Sequence, residues 1–167
     1  MVIINEAFEK FRDKHDEVVG ALTELLRLIN AAEVRIFERD SELHERLRRK
    51  EITGDEFTQL SKDVWSDYRE EVKNIVEPRC TEKLVKKGYA RSFSNTPMYG
   101  YINDPEDCRG VFTMETAKKA VVEFRFTKHS SVNFMHKFTL VPNGDKWLVD
   151  AFNYGTEKEG VWHRGSI

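Results

Sequence analysis

The chain has 167 residues, of which 34% are charged and 40% hydrophobic, and its formal net charge at pH 7 is -2. This length and composition predict a single folded domain over residues 1–167 and exclude a disordered or fibrous chain. The near balance of acids and bases argues against a dedicated nucleic-acid-binding protein, because such a protein carries a basic excess.

The first half of the chain has the pattern of helices. Eight of the ten leucines lie in residues 1–88, and leucine favours helix. Apolar side chains recur every three or four residues from Ile4 to Ile29, and less regularly up to Lys50. We therefore predict helix over residues 4–50, either as one long bent helix or as two helices that meet near residues 30–33.

A second helix is predicted over residues 54–76. Thr53 and Glu56 form a capping-box pattern, in which the threonine caps the helix and the glutamate reaches back to the threonine backbone. Pro78 suits the start of a short third helix, and Gly88 suits its end. The part of the chain up to Gly88 is thus predicted to be helical.

The pattern changes after Gly88, and residues 89–167 are predicted to form an antiparallel sheet. Seven of the eleven phenylalanines lie there, and apolar residues alternate with polar ones, as in half-buried strands. An Asn-Gly pair predicts a hairpin turn over residues 142–145. The expected strands lie near residues 98–102, 111–115, 120–126, 132–140 and 147–152. Helices followed by strands indicate an α+β fold.

The alternation also predicts which strand residues face the helices. The expected core members are Phe124, Phe126, Phe134, Phe138 and Trp147. His136 lies on the same face, and Tyr68 lies on the core side of the second helix. They are candidates for a pocket with an acid or base. We predict instead that both are structural, with the Tyr68 hydroxyl and His136 as buried partners that hydrogen-bond to each other.

A candidate surface for binding another protein lies near the middle of the chain. Tyr99 and Tyr101 precede the three carboxylates Asp104, Glu106 and Asp107. Exposed tyrosines beside carboxylates would anchor and steer a basic partner, whereas two core tyrosines followed by a solvated loop would have no such role.

Trp162, near the end of the chain, is a second candidate anchor for a partner. It either packs back onto the sheet or is offered to the partner. The outer face of the sheet is a further candidate contact surface, because Val121, Arg125, Met135 and Lys137 would lie there.

No motif for a cofactor, a phosphate loop or a metal cluster is present in the sequence, so we expect no cofactor and no metal. Cys80 and Cys108 are not spaced as ligands and are expected to be reduced thiols, although one disulfide is arithmetically allowed. The N-terminal residues lack the features of a secretory signal, and no stretch reaches the roughly 20 apolar residues of a membrane span. We therefore expect a cytoplasmic location and no membrane.

The order of elements and two stretches of sequence resemble the nuclear transport factor 2-like fold. The stretches are the strand Glu123-Phe124-Arg125-Phe126 and the Gly-x-x-Trp-x-Val pattern of residues 144–149. The resemblance implies a cone formed by N-terminal helices packed on a curved antiparallel sheet. Isomerases of this fold are implied to need an aspartate base in the cone, and no Asp lies on the inward faces of the strands 120–126 and 132–140.

The size, the charged helical N-terminus and the lack of a catalytic set resemble the immunity proteins of this fold, which neutralise toxins of bacterial competition systems. The resemblance implies a non-enzymatic protein that binds a cognate toxin domain, as a monomer or homodimer. Two alternatives remain open. One is a small-molecule-binding enzyme of the same fold, isomerase-like or dehydratase-like, and the other is a homodimeric interaction scaffold.

Overall fold

A computed structural model describes residues 1–103, 108–127 and 132–167. These residues form a long helical region and six strands of one sheet. The helices are α1 His15–Arg48, α2 Gly54–Val76 and α3 Glu82–Val85, with 3-10 turns at Glu9–Lys14 and Gly100–Ile102. The strands are β1 Val2–Asn5, β2 Cys108–Thr116, β3 Lys119–Thr127, β4 Asn133–Asn143, β5 Lys146–Thr156 and β6 His163–Arg164.

The sheet has the order β1-β2-β3-β4-β5-β6, so every strand lies beside its neighbour in the sequence. All of its pairings are antiparallel except that of β1 with β2, which is parallel. The fold is therefore α+β, as predicted, with a mostly antiparallel open sheet.

The helix α1 is a single element through residues 30–33, so the two-helix alternative is wrong. Its apolar face, which includes Val18, Leu22 and Ile29, is buried against the sheet and α2. The capping box of α2 is present as predicted. The Thr53 hydroxyl accepts a hydrogen bond from the Glu56 amide at 3.2 Å, and the Glu56 carboxylate accepts one from the Thr53 amide at 2.8 Å.

The start of the predicted first helix is wrong, because residues 2–5 form the strand β1. A run of β-branched side chains favours strand over helix. Ile3 lies over Gly110 of β2, where any side chain would come within 2.7 Å of the isoleucine. Asn5 then ends the strand, since its side chain accepts from the Ala7 amide and donates to the Arg12 carbonyl.

The strand predicted at residues 98–102 is also absent, because residues 100–102 form a 3-10 turn. Asn30 of α1 fixes the segment that enters this turn. Its side chain donates to the Tyr99 carbonyl at 2.8 Å and accepts from the Tyr99 amide at 3.2 Å. The backbone groups that a strand would present to a neighbour are thus bound by a helix.

The core lies between the inner face of the sheet and the two long helices. Phe124, Phe126, Phe138 and Trp147 are buried as predicted. Phe134 is only partly buried, which contradicts the prediction. It lies at the beginning of β4, where it stacks on Phe126 but is not enclosed on all sides.

Candidate functional site

The inner face of the sheet is filled by aromatic rings around His136. Among the described residues, five rings lie within 6.3 Å of the imidazole, centroid to centroid, and they belong to Tyr99, Tyr101, Phe126, Phe138 and Phe152. The Tyr101 hydroxyl lies 2.9 Å from Nδ1 of His136 and forms a hydrogen bond with it. Burial raises the pKa of Tyr101 well above its ordinary value, so that its hydroxyl stays protonated.

The predicted pair of His136 and Tyr68 is not formed. The Tyr68 hydroxyl donates to the Ser92 carbonyl at 2.9 Å, while His136 bonds to Tyr101. Tyr68 and His136 are both buried and hydrogen-bonded, as we expect of residues with a structural role. No sequence pattern indicated either partner, because each is brought in by the long segment between α3 and β2.

The predicted surface around Tyr99 and Tyr101 is not exposed. Tyr99 is 1% exposed and Tyr101 is buried beside it, stacked on Phe126 at 4.0 Å between ring centroids. The two rings therefore belong to the core, and the interpretation of them as exposed anchors is wrong. The carboxylates predicted beside them, Asp104, Glu106 and Asp107, lie outside the described residues.

Trp162 packs back onto the sheet. The Lys137 ammonium lies 4.0 Å from the centroid of its ring, and the indole is partly buried. The backbone that precedes Trp162 runs so close to β5 that a Cβ placed at Gly155 would lie 2.3 Å from the Val161 carbonyl oxygen. The same tail covers part of the outer face of the sheet, where Met135 is buried, contrary to the exposed position predicted for it.

A surface groove lies elsewhere on the molecule, and no sequence motif pointed to it. It has a volume of about 380 Å³ and lies where α1, the segment after α2 and the hairpin between β4 and β5 meet. The hairpin turns at Gly144, whose φ of +63° suits glycine, as the Asn-Gly pattern predicted. Two backbone hydrogen bonds hold the segment after α2 along β5. The Thr81 amide donates to the Val149 carbonyl, and the Val149 amide donates to the Arg79 carbonyl.

The groove is lined by both apolar and charged side chains. The apolar ones are those of Ala21, Pro78, Trp147 and Leu148, and the charged ones are those of Glu17, Glu24, Arg79, Asp145 and Lys146. The Trp147 indole donates to Glu17 at 3.0 Å, which fixes the ring that separates the groove from the core. Arg79 forms an ion pair with Glu24 at 3.0 Å across the groove.

The charged residues of this groove are far apart in the sequence. Glu17 and Glu24 are seven residues apart and so share one face of α1, which periodicity can show. Their partners, Trp147 and Arg79, come from elements 130 and 55 residues away. Only the fold brings these groups together.

Asp150 anchors α3 to β5 near the groove. It accepts hydrogen bonds from Thr81 at 3.0 Å and from Lys83 at 2.6 Å. Burial alone would raise the pKa of Asp150, but these bonds and the positive charge of Lys83 hold it below its ordinary value. The ionised Asp150 carboxylate stabilises the folded state fully above the ordinary carboxyl pKa. This stabilisation is lost as the pH falls through the lowered pKa of Asp150.

The two thiols are free and buried, so the disulfide alternative is wrong for this structure. Burial raises the pKa of Cys80 to about 12 and that of Cys108 to about 11. Because the thiolate is the reactive species, native protein at pH 8 should react with an aromatic disulfide reagent at least about a hundredfold more slowly than the unfolded chain. The same sample in guanidinium is the control, and rapid labelling without denaturant would contradict the burial of either thiol.

Within the described ranges, no three His, Cys, Asp or Glu side chains come together in an arrangement that could hold a metal ion. No helix in the part of the chain that the structure covers is both long and apolar enough to cross a membrane. Comparison of the chain with protein-family models, curated proteins and solved structures gives no match.

Proposed function

We propose that this protein is an immunity protein that binds and neutralises a cognate bacterial toxin domain in the cytoplasm, on a nuclear transport factor 2-like fold. The helices packed on one face of a mostly antiparallel sheet support the fold assignment. The interior around His136, where an enzyme of such a fold would need room for substrate, is occupied by aromatic rings. This packing favours a protein that acts through its surface.

The groove between α1 and the β4–β5 hairpin is the observation that carries the proposal. An apolar centre surrounded by charged groups is the usual composition of a protein-binding site, in which the centre supplies affinity and the rim supplies specificity. In this groove, apolar groups such as Ala21 and Leu148 lie together with charged ones, which include the Arg79–Glu24 ion pair. The groove thus replaces the buried tyrosines as the proposed contact surface.

The proposed occupant of the groove is a toxin loop that presents an arginine or lysine side chain. Three carboxylates line the groove, those of Glu17, Glu24 and Asp145, against the two cations of Arg79 and Lys146. Lys14, which is outside the lining, also pairs with Glu17 at 2.9 Å. A long cationic side chain can lay its methylene groups on the apolar groups of the groove and compete with these cations for the carboxylates. Neutralising a lethal toxin at low copy number requires an affinity on the order of nanomolar.

The experiment that tests the proposal is co-expression with the domain encoded by the neighbouring gene. The protein should restore growth of cells that make this domain, and the two should form a stable one-to-one complex. Ala21→Lys places a larger side chain in the groove, and its positive charge opposes a cationic occupant, so it should weaken binding at least about tenfold. The control is Ala31→Lys, the same change at an exposed position of the same helix, which should bind like the parent.

Two results would count against the proposal in different ways. If the neighbouring domain is harmless alone, or remains lethal while this protein is present and folded, the immunity function is wrong. If protection is seen but Ala21→Lys and Ala31→Lys bind equally well, the immunity function stands and the groove is not the contact surface. Thermal melts of both variants separate lost binding from lost folding.

A further inference from the structure

The strand β1 forms an open edge of the sheet. It pairs with β2 on one side, and among the described residues no strand lies along its other side. Its side chains alternate, so that Val2, Ile4 and Glu6 are exposed while the residues between them are partly buried. Val2 is 71% exposed and Ile4 is 52% exposed. Two apolar side chains on one face of an open edge are the surface that an added strand would cover.

The backbone of β1 presents pairing groups on this open side. The Glu6 amide donates to the Phe112 carbonyl at 2.9 Å, so Glu6 continues the ladder between β1 and β2. Amides along a strand point alternately to its two sides, so the Ile4 amide points to β2 and the Ile3 amide points to the open side. The open edge ends at Ala7, whose amide donates to the Asn5 side chain at 3.2 Å. A partner strand can therefore pair with β1 as far as Asn5.

We propose that β1 pairs with β1 of a second copy of this chain, antiparallel, about a two-fold axis that passes through Ile3. Directly opposite residues of antiparallel strands share a face, so the axis must pass through a residue to keep the outer faces of both copies together. With the axis at Ile3, Val2 of each copy lies opposite Ile4 of the other. An axis at Ile4 would instead place Val2 opposite the charged Glu6.

The charges beside β1 also match across this axis. Arg109 of β2 is exposed and lies directly beside Val2, and Glu6 follows the strand on the same face. In the paired sheet, Glu6 of one copy lies two strands across and two residues along from Arg109 of the other, which is about 12 Å between Cα atoms. An extended glutamate and an extended arginine can bridge this distance, and the axis forms the pair twice. Residues 1–5 carry no charged side chain that would oppose its own copy.

The pairing is closed, because each copy covers the open β1 edge of the other, so the association stops at a dimer. The contact is short, whereas stable specific interfaces bury about 1,200–2,000 Å² in total, so we expect a dissociation constant on the order of 50 µM. The dimer uses no residue of the groove between α1 and the β4–β5 hairpin. It is therefore independent of the proposed immunity function.

Sedimentation equilibrium of the full chain measures this association. Between about 5 µM and 1 mM, the average mass should rise from that of a monomer towards that of a dimer. Ile4→Lys places a charge opposite Val2 of the second copy and should weaken dimerisation at least about tenfold. The control is Val161→Lys, which adds the same charge at an apolar residue that is also 52% exposed but lies outside β1, and which should dimerise like the parent.

The proposed ion pair is tested by exchanging its charges. Glu6→Arg and Arg109→Glu should each weaken dimerisation about fivefold, and the double variant should return to within about twofold of the parent. Amide NMR of the parent gives a readout that needs no variant. The Ile3 amide signal should move with protein concentration, and that of the groove residue Leu148 should not.

The proposal is overturned if the parent stays monomeric over this range, or if its Ile3 amide signal does not move. It is equally overturned if Ile4→Lys, shown by a thermal melt to be folded, dimerises like the parent, or if the double variant dimerises no better than the single ones. If the parent stays monomeric and the toxin domain shifts the Ile3 amide signal instead, the open edge binds the toxin and the proposal of a second copy is wrong.

Discussion

Replacing Phe138 by alanine should lower the free energy of unfolding by about 3–5 kcal/mol. Phe138 is fully buried in the centre of β4 and stacks on Phe152, with 4.8 Å between the ring centroids. Its ring also contacts those of Tyr99, Phe124 and His136. Neighbours locked by mutual packing cannot collapse into the space left behind, so the lost ring leaves a cavity as well as a loss of apolar burial.

Chemical denaturation of the parent and the variant measures this effect, and the melting temperature should fall by roughly 10 °C. The control is Phe8→Ala, the same change at a phenylalanine that is 56% exposed, which should change the unfolding free energy by less than about 1 kcal/mol. A loss at Phe138 as small as that at Phe8 would show that the aromatic interior is not tightly packed.

Replacing Asn30 by alanine should cost about 2–4 kcal/mol. The Asn30 amide bonds to both the amide and the carbonyl of Tyr99, in a buried part of the core. Alanine leaves two backbone groups without their partner, and each unmet buried group costs about 1–3 kcal/mol. The effect should therefore exceed that of losing a single surface hydrogen bond.

The matched control is Asn74→Ala on α2, because Asn74 is exposed and should tolerate the change within about 0.5 kcal/mol. Hydrogen exchange gives a second readout, since the Tyr99 amide should lose protection in Asn30→Ala but not in Asn74→Ala. If the Tyr99 amide stays protected in both variants, Asn30 does not hold the segment.

The elements that were predicted correctly are those whose signals are local. The capping box of Thr53 and Glu56 and the Asn-Gly turn at Gly144 depend on residues within four positions of each other. The alternation along β3 and β4 depends only on which face of each strand is buried. Such patterns can be found without knowing what lies across the core.

The errors have the opposite cause. Ile4 follows the helical spacing of α1, yet residues 2–5 pair with β2, which lies more than a hundred residues later. Tyr99 looked like an exposed anchor beside acidic residues, yet Asn30 of α1 draws it into the core. The groove was missed for the same reason, because it is lined by side chains from several distant elements.

The parallel strand at the N-terminus has a consequence for the order in which the chain folds. Val2 meets Arg109 only after a loop of roughly 100 residues has closed, at an entropic cost of about 4 kcal/mol. The hairpins of β2 with β3 and of β4 with β5 close over a few residues, and α1 with α2 forms another local unit. We therefore expect β1 to dock last onto a sheet that has already formed, and to be the first strand that detaches when the protein opens.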